Sequence, residues 1–116
     1  MVHNAILVNP ETNLVVYATS NILNESTEMN FVYEATNEAL ALAKREDVIG
    51  GYIFLDNAPT LDGAKAIISA GIKKVVYKLP IENEDEAAAC QLLEQYAIPA
   101  IYNADIIVTE KHAPQI

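Results

Sequence analysis

Residues 52–80 read YIFLDNAPTLDGAKAIISAGIKKVVYKLP. Tyr52-Ile-Phe-Leu55 is an apolar run of strand length and strand composition. Asp56-Asn57-Ala58-Pro59 then makes a polar corner. From Leu61 the period changes: Leu61, Ala64, Ile67 and Ile68 recur at helical spacing, and Gly71 stands where a helix closes in the left-handed conformation. Ile72-Lys-Lys-Val-Val-Tyr77 is a second strand. Strand, short helix and strand with so few residues between them predict a right-handed crossover and two parallel neighbours. The polar corner falls at the carboxyl end of the first strand and the amino end of the helix. Open α/β sheets bind their ligands at such corners.

Before this unit, Ala5-Ile-Leu-Val8 and Leu14-Val-Val-Tyr-Ala-Thr19 read as strands joined by the turn residues Asn9-Pro10-Glu-Thr-Asn13, an antiparallel hairpin. Asn21 to Met29 is polar and loop-like. About Asn30 to Arg45 reads as a helix, with Val32, Ala35, Ala39 and Leu42 as its apolar stripe and Glu34, Glu38 and Lys44 as its charges. After the unit, Asn83 is an N-cap with Glu86 at capping-box spacing. Glu84, Asp85 and Glu86 fall in the first turn, where the helix dipole favours negative charge. That explains the acidic cluster better than a divalent cation, for which the spacing is wrong. The helix runs to about Tyr96, with Ala89, Leu92, Leu93 and Tyr96 on one face. Ile98-Pro-Ala-Ile-Tyr102 and Asp105-Ile-Ile-Val-Thr109 are short final strands, or one strand interrupted at Asn103-Ala104.

The chain has 116 residues, 52% of them apolar, with seven basic residues against sixteen acidic and a net charge of −9. Its length fits a single domain over residues 1–116. The charge argues against a nucleic-acid partner, since phosphate binding needs a basic face. Lys65, Lys73, Lys74 and Lys78 are the one local basic cluster and read as a solvated surface. No apolar run reaches membrane-spanning length, and the N-terminus lacks the pattern of a secretory signal. Cys90 is the single cysteine, so no intramolecular disulfide forms. The expectation is a cytoplasmic protein with no membrane contact.

The stretch Ala64-Lys-Ala-Ile-Ile-Ser-Ala-Gly-Ile-Lys-Lys-Val-Val-Tyr77, with Pro59 before it, resembles the second half of the zinc-dependent cytidine/deoxycytidylate deaminase superfamily. That family writes Pro-Cys-x-x-Cys, a short helix and Ala-Gly-Ile-Lys-x-Val-Val-Tyr. The resemblance implies a three-layer α/β/α sandwich with a five- or six-stranded mixed sheet. The family's two cysteine positions fall here on Thr60 and Gly63. Its His-Ala-Glu-x-Asn, laid on the first helix so as to keep Asn37, puts Tyr33 at the histidine and Ala35 at the glutamate. Glu34 cannot replace that glutamate, because one residue along a helix is a rotation of about 100°. The resemblance thus implies a degenerate member. Its catalytic positions Tyr33, Ala35, Thr60 and Gly63 lack the metal ligands and the acid/base, and zinc is expected to be absent. An asparagine that holds the nucleoside in the family would correspond to Asn21, which also reads as a turn residue.

No other chemistry is indicated. His3, Cys90 and His112 show no spacing that would bring them together, and no phosphate-binding glycine loop is present. The ligand-binding candidates are Asn21, Asp56, Asn57, Thr60 and Asp62; the last four read equally as helix caps and corner residues. Two functions follow. One is a catalytically inactive deaminase-like domain with a structural, interaction or regulatory role, holding at most a small nucleotide-like ligand without turnover. The alternative is a deaminase-type hydrolase, or another enzyme, using a non-standard site in the same fold. Family habit and the dense apolar residues Ile98, Ile101, Ile106, Ile107 and Val108 point to a homo-oligomer or a partner protein.

Overall fold

The computed structural model describes residues 2–9, 11, 14–21, 36, 37, 39–41 and 44–106. Strands β1 (Val2–Asn9) and β2 (Leu14–Asn21) form the hairpin, antiparallel from Val2↔Asn21 to Asn9↔Leu14. Asn9 starts the turn: its Oδ1 accepts the Glu11 N–H at 3.0 Å, the local bond that makes asparagine a turn residue. Strand β2 runs two residues past Thr19, so Asn21 is a strand end and not a loop residue. Positions 36, 37 and 39–41 are helical. A single turn, α1 (Arg45–Val48), follows. The Asn9 Nδ2 donates to the Asp47 carbonyl at 2.7 Å and ties that turn to β1.

Strand β3 (Tyr52–Leu55), helix α2 (Leu61–Ala70) and strand β4 (Lys74–Tyr77) form the crossover read from the sequence. Gly71 is left-handed at φ 81°. Its N–H donates to the Ile68 carbonyl at 3.2 Å and the Ile72 N–H to the Ile67 carbonyl at 3.3 Å, the paired bonds of a Schellman ending. Those bonds hold Ile72 to the helix, so β4 begins at Lys74. Helix α3 (Glu84–Gln95) and strand β5 (Ala100–Tyr102) complete a second crossover. The expected strand from Asp105 does not begin there. Asn103–Asp105 is a turn, with the Asp105 N–H donating to Asn103 Oδ1 at 3.0 Å, and residues 107–109 lie outside the described ones.

The sheet is mixed, in the order β2-β1-β3-β4-β5. β1 pairs antiparallel with β2 and β3, while β3-β4 and β4-β5 are parallel. Alternate residues face opposite ways. Leu7, Ile53, Leu55, Val75 and Tyr77 meet Ala39, Val48, Ala64, Ile67, Ala89 and Leu93 from the helices in one core. Ile6, Val8, Phe54 and Val76 form a second core on the other face, where Ile106 joins them. All the buried apolar helix residues among those described belong to the first core. The chain is therefore α/β with a mixed sheet, and the described helices form one layer on it. No helix among the described residues is long and apolar enough to cross a membrane.

Candidate functional site

The carboxyl ends of β3, β4 and β5 bring the expected corner together. Asp56 follows β3, and its Oδ2 accepts both the backbone N–H and the Nδ2 of Asn4, each at 2.9 Å. The Leu79 N–H donates to the Asp56 carbonyl at 2.9 Å. Asp56 is therefore a joint linking β1, β3 and the loop after β4. Asn57 is buried beside it and is not without an interaction of its own. Asp62 is exposed in the first turn of α2. Asn21 lies at the same end of the sheet two strands over, because it pairs with Val2 and Asn4 neighbours Asp56.

Thr60 is buried and caps α2, its Oγ1 accepting the Gly63 N–H at 3.0 Å. The Leu61 N–H, another donor that helix geometry leaves over, goes to Asp85 Oδ2 at 3.1 Å. Sequence reasoning gave Asp85 a role only in its own helix; spacing within one helix cannot reveal a reach to the next. Gly63 is buried, and a Cβ built on it would lie 3.2 Å from Thr60 Oγ1 and 4.0 Å from Thr36 Oγ1. Thr36 is wholly buried, and its Oγ1 has no hydrogen-bond partner among the described residues. The first helix thus faces the matched cysteine positions with Thr36. Tyr33 and Ala35 lie outside the described residues.

Thr36 was missed because the apolar stripe was read through Val32, Ala35, Ala39 and Leu42. The described part of the helix buries Thr36 and Ala39 and half-buries Leu40, an i, i+3, i+4 face. The available signal was a small polar residue three before Ala39, which is compatible with burial.

Zinc, which the family resemblance implies, can be tested against these groups. Catalytic zinc takes three nitrogen, thiolate or carboxylate ligands. Among the described residues, the groups that converge here are two threonine hydroxyls and a glycine hydrogen, and one hydroxyl is already engaged as a helix cap. They do not fit the metal. No group of three or more His, Cys, Asp or Glu able to hold a metal occurs among the described residues. His3 lies in β1, and His112 is outside the described residues.

A second cluster lies under the same sheet end. Cys90 and Glu86 share one face of α3, and Tyr77 ends β4. Burial pushes the Cys90 thiol up; a Tyr77 hydrogen bond opposes the shift, and the charges of Glu86 and Glu94 add to it. Burial likewise raises the Tyr77 phenol, helped by Cys90 and those glutamates. Both groups stay protonated at neutral pH, so Cys90 is a packing residue and not a thiolate nucleophile. On the flank of α2, Asn37, Leu40, Arg45, Ala66 and Ser69 line an open cleft of about 480 Å³.

No protein-family model matches the sequence, and no curated protein matches it significantly. Solved structures do match in shape. RibD from Acinetobacter baumannii superimposes with a TM-score of 0.65 at 18% identity, over 86% of this chain and 28% of that one. The dCMP deaminase of cyanophage S-TIM5 gives 0.63 at 23% identity, over 87% and 79%. Guanine deaminase from Nitrosomonas europaea gives 0.60 at 15%, over 86% and 64%. The chain thus spans little more than a quarter of the RibD chain and most of the phage enzyme. At these identities the likeness establishes architecture alone, and that architecture is the deaminase fold.

Proposed function

We infer that this chain is a deaminase-fold domain that neither binds zinc nor deaminates, and that acts by binding. The observation that supports this most directly is the convergence of Thr36, Thr60 and Gly63 at the end of α2, where the family would place its metal. Without a metal to lower the pKa of a water, the family's hydrolytic nucleophile is not formed at neutral pH. The facing of Thr36 also favours a different register from the one that keeps Asn37. It lays His-x-Glu on Thr36-Asn37-Glu38, three residues further on.

Metal analysis of the dialysed protein tests the reading: zinc well below one per chain is expected, and about one per chain overturns it. Two sets of substitutions test the register. Thr36→His with Thr60→Cys and Gly63→Cys should take up zinc. Tyr33→His and Ala35→Glu with the same two cysteines should not. Uptake by the second set alone would restore the earlier register.

The enzyme reading keeps one specific support, since the Thr36 register puts a glutamate, Glu38, in the acid/base position. Turnover of a cytosine, deoxycytidylate or guanine substrate that is lost in Glu38→Gln would establish it. For a ligand held without turnover, a nucleoside monophosphate is the first probe, because the phage enzyme has been seen with dCMP and dUMP. A three-layer α/β/α architecture and a cytoplasmic homo-oligomer complete the proposal. Leu79 and Ile81 in the loop after β4 and Tyr102 at the end of β5 support the oligomer, being exposed at 42%, 41% and 49%. Light scattering at micromolar concentration should give a multiple of 12.7 kDa; a clean monomer mass would remove the oligomer.

A further inference from the structure

The loop between β4 and α3 presents Leu79 and Ile81 to solvent, with Pro80 between them and the exposed carboxylates of Glu82 and Glu84 beyond. It is held at both ends. The Leu79 N–H donates to the Asp56 carbonyl at 2.9 Å, and the Glu82 N–H donates to Glu86 Oε1 at 2.8 Å. Proline fixes its own backbone between those ties, so little conformational freedom is left to lose on binding. An exposed aliphatic pair rimmed by charged residues fits a protein contact. The cleft on the flank of α2 has the opposite shape and the opposite charge. Its volume is about 480 Å³, and Leu40, Val48, Ala66 and Ala70 give it apolar walls. Arg45 is the one charged residue among the described residues that line it. In a chain of net charge −9, such a cleft suits an acidic occupant with an apolar body.

We propose that this cleft receives loop 79–84 of a second copy of the chain, with Leu79 and Ile81 against its apolar walls and Glu82 beside Arg45. The inference rests on the oligomeric reading above and names its contact. The loop does not reach the cleft of its own molecule. Asp85, just past the loop, accepts the Leu61 N–H at the amino end of α2, whereas the cleft borders Ala66, Ser69 and Ala70 toward the carboxyl end. A ten-residue helix separates those ends by about 15 Å. A free phosphate is the weaker occupant. The last turn of α2 brings the negative end of its dipole to the cleft, which a doubly charged group meets less well than one carboxylate on an apolar loop. Because the contact joins two different patches, each copy offers one of each.

Light scattering on the full chain tests this with Arg45→Glu and Glu82→Arg, both at exposed positions. Each variant alone sets like charges face to face and should weaken self-association by about tenfold or more. An equimolar mixture should regain the wild-type mass. The loop of the Arg45→Glu chain meets an unaltered cleft, and the loop of the Glu82→Arg chain meets a cleft of reversed charge. A mixture that stays as dissociated as the separate variants overturns the proposal. An oligomer that neither variant weakens is held by another surface, so the docking falls and the oligomeric reading stands. A wild-type monomer defeats both. Loss of nucleoside monophosphate binding in Arg45→Glu, with the mass unchanged, gives the cleft to a free ligand and overturns the docking. If either variant does not fold, Leu79→Ser with Ile81→Ser decides, since both side chains are exposed; an undiminished wild-type mass then overturns the docking.

Discussion

The sequence resemblance would put a metal-binding cysteine at Thr60, yet here its side chain serves the helix. Thr60→Ala removes the acceptor of the Gly63 N–H, a buried bond of 3.0 Å, and should cost about 1–2 kcal/mol of stability, while Thr60→Ser should cost far less. Urea unfolding of the two variants checks this; equal losses would mean that packing of the methyl group, not the cap, matters. Glu86 gives a pH signature. Burial, first, pushes its carboxyl above the ordinary 4.5; the Glu82 N–H and Asn83 oppose this, and the charges of Glu82 and Asp85 add to it. Between the unfolded value and the higher folded one, the native state binds the proton more often. Its contribution is therefore full below the ordinary carboxyl range and is lost as pH rises through the folded value. Glu86→Gln keeps an acceptor for the Glu82 N–H, which donates to Glu86 Oε1 at 2.8 Å. Its melting temperature should fall less steeply than wild type as pH rises from 4.5. Identical slopes would remove Glu86 from the account. Residue identities at the corner were legible because turn and cap chemistry is local. The orphaned Thr36 was not, since only the partner helix reveals what a small polar residue faces.

At the scale of elements, α2 and α3 were readable at both ends or one. The period change at Leu61, the glycine at 71 and the Asn83 cap with Glu86 three residues on each express a backbone need that few residue types meet. The bond from Glu86 nevertheless reaches the Glu82 N–H and not that of Asn83, a shift of one residue that spacing does not specify. Turn α1 was illegible, because Arg45–Val48 is too short to show a period. It exists through its tie to Asn9 and through Gly50, whose φ is 80°. Gly71 joins these elements: its carbonyl accepts the Gly50 N–H at 2.8 Å, and its own φ of 81° suits no β-carbon. A Cβ there would also lie 3.3 Å from Ile49 Cγ1. Gly71→Ala should destabilise by about 1 kcal/mol or more, read as a lower urea midpoint at unchanged m-value. Wild-type stability would show that the helix ending relaxes to another conformation.

For the whole molecule, the strand order followed from two connection types: a tight turn gives antiparallel neighbours, and a helix crossover gives parallel ones. The single join that no local signal announced is β1 against β3, an antiparallel pairing from Ala5↔Leu55 to Val8↔Tyr52. Neither the periodicity nor the connection lengths in the sequence indicate it. That join divides the molecule into a hairpin over residues 2–21 and a continuous β-α-β-α-β unit over residues 52–102, each built from pairings near in sequence. The clasp of Asp56 on Asn4 closes the end of the seam between them. Pairing across such a distance in sequence costs more loop-closure entropy than anything else in the sheet, so it should be the slow step of folding. Cutting the chain between residues 22 and 35 should then leave two pieces that find each other again when mixed, restoring the circular dichroism and melting transition of the intact protein. Asp56→Ala should weaken that reassembly more than it weakens the uncut chain, because a covalent link no longer holds Asn4 in reach. The corner at Asp56 would then serve as the latch of a two-part molecule.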